Sequence, residues 1–361
     1  MTTLPSPLLA VLRTTKLLAE LSLSDWDRLL VDARETRLLG SLVAEVDRLG
    51  VADRLPTQIA WHLEASRVEN ARHEQITRYE TACLARTLKD IDTPIILLKG
   101  AAYRLLDLPP AAGRISGDLD LLVRRERLAE VETALRADGW VEGEMDERQQ
   151  AYYRHWMHEI PPLMHRERGT KLDVHHNILP ATDNLQVDPA KLLDAATPIS
   201  GHERLFALSP ADMVLHGAAH LFRNGHYEAG LRDLVDFDRL LRHFSTDPTF
   251  CEALARRASE LQLGLPLALA LRYAQQILTT EVPAALKSVA RQQQPNLLLL
   301  AALDRLVPKA VLPPARQRVD RLRLASHWIL ARYPLSLWKK SVLPKVQRIM
   351  LPARPKERAS N

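Results

Sequence analysis

Gly117-Asp118-Leu119-Asp120-Leu121-Leu122-Val123 is the stretch on which the fold turns. Side chains alternate along a strand, so Asp118 and Asp120 share one face while Leu119, Leu121 and Val123 share the other. Two carboxylates one strand period apart repel each other when ionised. They pack badly and ligate well: Mg²⁺ takes oxygen ligands, often one or two carboxylates together with substrate phosphates.

The neighbouring sequence builds a small α/β unit around this strand. Ile95–Leu98 is a short β-branched and apolar run bounded by Pro94 and Gly100, which predicts a buried strand. A short helix over 101–106 and a loop marked by Pro109, Pro110 and Gly113 lead into the Asp-x-Asp strand. Arg127–Asp138 reads as a helix ended by Gly139. Residues 160–164 and 171–178 read as two strands joined by a turn at Arg168-Gly169. On the second of these, Asp173 and His175 share a face. If that strand lies beside the Asp118 strand, three aspartates converge, enough to hold two Mg²⁺ ions around a triphosphate. The chemistry expected is in-line attack of an acceptor on phosphorus with loss of pyrophosphate, Asp173 helping to deprotonate the acceptor.

Helices flank this unit. Residues 5–90 carry apolar positions at helical spacing, a capping signal at Ser24-Asp25-Trp26-Asp27, and Pro56 opening a helix that runs to about Lys89. Ser209-Pro210-Ala211-Asp212 opens a second helical region, predicted over 210–224, 228–244, 248–261, 265–278 and 283–303, with Pro308, Pro313 and Pro314 marking a linker. The expected organisation is an N-terminal helical region (1–90), an α/β mixed-sheet core (91–205), a helical domain (206–307) and a basic tail (308–361).

The run Leu98-Lys99-Gly100-Ala101, then Arg114, the Gly117–Val123 strand and Leu172-Asp173-Val174-His175 resembles the uncharacterised nucleotidyltransferase family, of the DNA-polymerase-β-like superfamily. Leu208–Asp212, His216, His220, Leu231–Leu234 and Asp236 resemble its helical region. The likeness covers about residues 90–245. It implies metal-carboxylate and catalytic roles for Asp118, Asp120 and Asp173, with two Mg²⁺ or substituting Mn²⁺. It also implies nucleotide contacts from Lys99, Gly100, Ala101, Arg114, Ser116, Gly117 and His175. The donor expected is an NTP such as ATP, and the acceptor a small molecule, sugar or peptide. The broader superfamily usually has Gly-Ser or Gly-Gly in the loop. Gly100-Ala101 offers backbone amides and the charge of Lys99 instead.

Composition narrows the alternatives. The chain has 361 residues, 46% apolar and 26% charged, a globular balance, and only two cysteines, too few for a disulfide framework or a four-thiolate zinc site. No apolar run reaches the ~20 residues a membrane helix needs, and the N-terminus lacks a secretory pattern, so a cytoplasmic protein is expected. The net charge of +5 is uneven: residues 308–361 hold 13 Lys/Arg against 2 Asp/Glu, leaving the rest mildly acidic. This argues against nucleic acid as substrate. The tail, with Trp328, Tyr333 and Trp338 among its basic residues, is expected to dock on the acidic body, with peripheral membrane contact as the alternative. His216 and His220 have helical ligand spacing, but Gly217 stands where a zinc protease needs glutamate. They read as packing residues, and Arg232 with Asp236 as an i,i+4 ion pair. Two rivals remain: metal-dependent glycosyl or phosphoryl transfer from a nucleotide-linked donor, and a degenerate fold that only binds.

Overall fold

The computed structural model describes residues 6–223 and 229–313. The expectations for the tail beyond 313, including membrane contact, lie outside the described residues. Four helices come first: α1 (Pro7–Arg13), α2 (Leu23–Glu35), α3 (Leu39–Leu49) and the long α4 (Thr57–Thr87). The capping box of α2 is formed by Ser22 and Asp25, not by Ser24 and Asp27. Two Ser-x-x-Asp registers overlap there, and the earlier one gives the longer helix.

The sheet begins with β1 (Ile95–Leu98), which enters α5 (Lys99–Leu105) directly. Then follow β2 (Leu119–Leu122), α6 (Leu128–Ala137), β3 (Trp140–Glu142), α7 (Glu147–Trp156), β4 (Leu163–His165), β5 (Lys171–His175), α8 (Pro189–Asp194), β6 (Thr197–Pro198) and β7 (Leu205–Ala207). The seven strands form one mixed sheet in the order β3-β4-β5-β2-β1-β7-β6. β2 runs antiparallel to β1 and parallel to β5, and β7 is parallel to β1. All four residues of β1 and of β2 are buried, as central strands require. The sheet extends past the expected hairpin: β3 and β6 are its edges and β7 lies between β1 and β6, all three of only two or three residues, too short for periodicity to mark.

The second helical region comprises α9 (Pro210–Arg223), α10 (Gly230–Phe244), α11 (Phe250–Glu260), α12 (Gly264–Leu278), α13 (Ala284–Gln292) and α14 (Leu297–Val311). The helix expected over 283–303 is thus two. Pro295 disfavours helical backbone at the preceding residue, and Asn296 caps the new start by accepting from the Leu299 amide at 2.9 Å. Pro308 lies inside α14, where it removes one helical hydrogen bond, and marks no linker. Ser209 and Asp212 do cap α9. Asp212 is fully buried and accepts from Arg257 of α11 at 2.7 and 3.0 Å, so this segment fastens one helix to another.

Three contacts hold the site-bearing loops. Glu80 of α4, 2% exposed, accepts from Arg168 at 2.8 and 3.0 Å and from Thr170 at 2.9 Å, which pins the β4–β5 turn to the long helix. Arg114, in the loop before β2, pairs with Asp236 of α10 at 2.8 Å. Gly113 has a φ of +69° and sits backbone to backbone against Gly40 of α3. A Cβ on Gly113 would fall 2.0 Å from the Gly40 carbonyl oxygen. Gly113→Ala should therefore cost at least about 2 kcal/mol in urea unfolding. Gly143→Ala, where a Cβ meets nothing within 4 Å, should change stability little. Equal effects of the two would remove the argument for this contact.

Candidate active site

Three adjacent strands converge on the site. β1 delivers Lys99, β2 delivers Asp120 with Asp118 just ahead of it, and β5 delivers Asp173 and His175. The parallel register of β2 and β5 puts Asp120 opposite Asp173 and Leu122 opposite His175. β1 places Leu98 opposite Asp120 on the other side. The two aspartate-bearing strands are thus neighbours, as the motif reading required. Asp118 is exposed in a bend before β2, Asp120 is buried within it, and Asp173 is half-buried.

The charges in this space are unequal in their compensation. Burial pushes the Asp120 carboxyl up, but Lys99 and the hydrogen bond from His175 outweigh it and hold Asp120 well below the usual carboxylate range. Lys99 Nζ lies 3.7 Å and His175 Nε2 3.1 Å from Asp120 Oδ1. Both contacts fall on one oxygen, which leaves Oδ2 outside them. Asp173 has the opposite fate: burial, then the charges of Asp120 and Glu159, push it up to about 7. For His175, burial favours the neutral ring, yet Asp120 and Glu159 together raise its pKa.

Lys99 adopts φ +45°, a left-handed backbone that an L-residue rarely accepts. This single residue turns the chain from β1 into α5 and leaves the ammonium beside Asp120. Strain of this kind gathers at functional sites. His216 and His220 of α9 complete one wall: burial first, then Lys99, lowers the pKa of both. His220 Nδ1 lies 3.4 Å from Asp233 Oδ2, consistent with a packing histidine held by a carboxylate.

The residues expected to contact nucleotide fall into two groups. Lys99, Ser116, Gly117 and His175 lie at or beside the carboxylates. Gly100, Ala101 and Arg114 are buried. Gly100 lies in the first turn of α5, and a Cβ there would fall 2.0 Å from Ser116 Oγ and 2.3 Å from Arg114 Nη1. Its lack of a side chain lets the Arg114–Ser116 pair pass over the turn. Arg114 donates to Ser116 Oγ and to Asp236 and lies 5.8 Å from the Tyr103 ring centre. The ion pair expected between Arg232 and Asp236 is thus replaced. Asp236 is claimed by Arg114, and Arg232 bonds Asp233 at 3.0 Å. On this buried stretch of α10, Asp236 takes the arginine packed against it and Arg232 the carboxylate next to it in the chain.

A groove beside Asp118 runs between α4 and the β4–β5 turn, with His73, Thr77, Ser116 and Lys171 among its lining residues. The Ser116 amide donates to His73 Nε2 at 3.0 Å. Spacing did not reveal His158 and Glu159. They come next to His175 because Glu159 forms an isolated antiparallel bridge with it. The signal available was a His-Glu pair directly ahead of an apolar run that had to pair with the Asp173 strand.

With this geometry in view, the relationships of the chain are informative. Residues 22–279 match the family described as "Uncharacterised nucleotidyltransferase", and the chain belongs to that family. Its α/β sheet flanked by helices is the architecture expected of that membership. No curated protein matches the chain. A solved structure from Helicobacter pylori, JHP933, is 17% identical over 65% of this chain and 98% of its own, with a TM-score of 0.31. No helix among the described residues is long and apolar enough to cross a membrane.

Asp173 makes stability depend on pH in a defined direction. With its pKa raised to about 7 in the folded state, against about 3.9 unfolded, the folded protein binds the extra proton between those values. In chelator, stability should therefore fall as pH rises from 4 through 7. Asp173→Asn should abolish that component and be more stable than wild type at pH 8, by on the order of 1 kcal/mol or about 2 °C in Tm. Parallel wild-type and variant Tm–pH curves would contradict this.

Proposed function

We propose that the protein transfers a nucleoside monophosphate from an NTP to a hydroxyl of a small molecule, sugar or peptide, releasing pyrophosphate. The observation that carries this reading is the β2–β5 register, which sets Asp120 against Asp173 with Asp118 at the open end. An all-carboxylate donor set suits Mg²⁺, with Mn²⁺ able to substitute. The elevated pKa of Asp173 supports the fit, because burial, and after it the charges of Asp120 and Glu159, leave its ionised form without compensation. Asp118, Asp120 and Asp173 would hold the metal, and bound Mg²⁺ would neutralise the triphosphate and the charge developing on phosphorus.

The chain's own groups do the rest. Lys99 and His175 keep Asp120 ionised and fix its orientation through one oxygen. Asp173, on the strand nearest the acceptor side, is the proton acceptor for the attacking hydroxyl. Ser116 supplies a hydroxyl directly above Gly100, which compensates in space for the serine missing after that glycine. The groove with Ser116 and Lys171 beside Asp118 is the route for the triphosphate or acceptor.

One observation favours a second reading, a fold that binds nucleotide without turnover. The Gly100 turn lies under the Arg114–Ser116 pair and is no open phosphate cradle. The glycosyl-transfer reading has less support. It calls for a longer nucleotide-binding α/β half before the motif, whereas the described residues ahead of β1 are helical.

The test is a panel of ATP, GTP, CTP, UTP and UDP-sugars with and without Mg²⁺ or Mn²⁺, read by thermal shift and by pyrophosphate release. A saturating NTP at ~100 times its dissociation constant should add about 2.7 kcal/mol in the presence of metal. Asp118→Asn, exposed and harmless to the fold, should remove that stabilisation and lower turnover about 100-fold or more. Metal-dependent binding without pyrophosphate release across a broad acceptor panel would favour the binding protein. Stabilisation by UDP-sugars alone would overturn nucleotidyl transfer.

A further inference from the structure

Beside the three aspartates lies a second set of donors with different chemistry. Each of His158, Glu159 and His175 offers one ligand atom within 4.8 Å of the other two. Both histidines are only 5% exposed, and the Nδ1 atoms of both are buried without a hydrogen-bond partner. Among the described residues no other three histidine, cysteine or acidic side chains gather this closely. A ring nitrogen buried without a hydrogen bond is costly: His158 Nδ1 has none, and His175 Nδ1 meets the Glu159 carboxylate without an aligned one.

We propose that His158, Glu159 and His175 form a site for a borderline divalent ion of the Zn²⁺ type, separate from the all-carboxylate Mg²⁺ centre. Imidazole nitrogens select Zn²⁺ and Co²⁺ over Mg²⁺. Zinc bonds of about 2.0–2.1 Å at tetrahedral angles put neighbouring ligand atoms about 3.4 Å apart; His175 Nδ1 lies 3.3 Å from Glu159 Oε2, and the His158 nitrogen lies within 4.8 Å of both. That contact is close but is not aligned as a hydrogen bond, so Nδ1 and the carboxylate face one another without being bonded. At the far end of the same ring, Nε2 donates to Asp120 Oδ1 at 3.1 Å. A histidine that gives one nitrogen to a metal and the other N–H to a carboxylate is held in tautomer and orientation. The ion would therefore fix His175, and through it the position of Asp120. His175 is a positioning residue in this arrangement. Three protein ligands leave the fourth zinc position open. This inference stands on its own geometry and does not depend on nucleotidyl transfer.

The experiment uses the full chain stripped with chelator and dialysed, then titrated with Zn²⁺ or Co²⁺ in the presence of excess Mg²⁺. One equivalent should bind, raise the Tm, and with Co²⁺ give the intense visible bands of a tetrahedral nitrogen-containing site. His158→Ala and Glu159→Gln should weaken binding about 100-fold or more. Asp120→Asn, which touches the site only through His175, should weaken it about 10- to 100-fold. Asp118→Asn should leave it intact while losing metal-dependent NTP binding, which separates this site from the nucleotidyl-transfer reading. No binding by wild type, or weak octahedral Co²⁺ bands, would overturn the proposal even if a histidine variant fails to fold. So would Zn²⁺ binding lost in Asp118→Asn and untouched in His158→Ala. His175 would then stand as a charged ring bridging Asp120 and Glu159.

Discussion

Everything in this protein is arranged around one electrostatic difficulty: two aspartates facing each other across a parallel strand pair. The β2–β5 register makes Asp120 and Asp173 direct neighbours, and burial multiplies their repulsion. The structure settles the conflict by asymmetry. Asp120 receives Lys99 and His175 and stays ionised, whereas Asp173, through burial and then the charges of Asp120 and Glu159, holds its proton more tightly. The strained Lys99 backbone, the buried His175 and the two α9 histidines, whose pKa burial lowers, all bear on that asymmetry.

Much of this was legible in the sequence. Asp-x-Asp on an apolar strand and Asp-x-His on a second marked the two strands that pair, because strand alternation converts spacing into a shared face. The helices followed from caps and breakers, Ser209 with Asp212 being an example. What the sequence hid depends on packing between distant segments. Nothing local says that Arg114 reaches Asp236, across 122 positions of chain, or that Gly100 is needed to let that guanidinium pass. Likewise Glu159 gains meaning only when its bridge to His175 forms. The overlapping serine caps and the helix interrupted by Pro295 show the other limit. There, local signals admitted two answers, and helix length or a proline decided between them.

The helical regions are more than flanks. Apolar side chains from Leu8 to Val311 belong to one contiguous core. α10 sends Asp236 to the loop that carries Arg114 and Ser116, and α4 sends Glu80 to the turn that carries the Asp173 strand into place. Each half of the carboxylate pair is therefore anchored by a helix from a different part of the chain. Arg114, expected to contact nucleotide, and Arg168, expected only in a turn, both serve these anchors.

The contact between Gly40 and Gly113 has a consequence for how this chain can vary. Two backbones that touch without side chains between them form a joint constraint: a larger residue at either position meets the other's carbonyl. Neither change rescues the other, so the pair can drift only if α3 or the loop moves away first. Cutting the chain just ahead of β1 would remove Gly40 and Glu80 together. The loop before β2 and the β4–β5 turn would then each lose a backstop, at the same end of the parallel strand pair. The N-terminal helices thus behave less as an added domain than as the mould in which the carboxylate-bearing loops are cast.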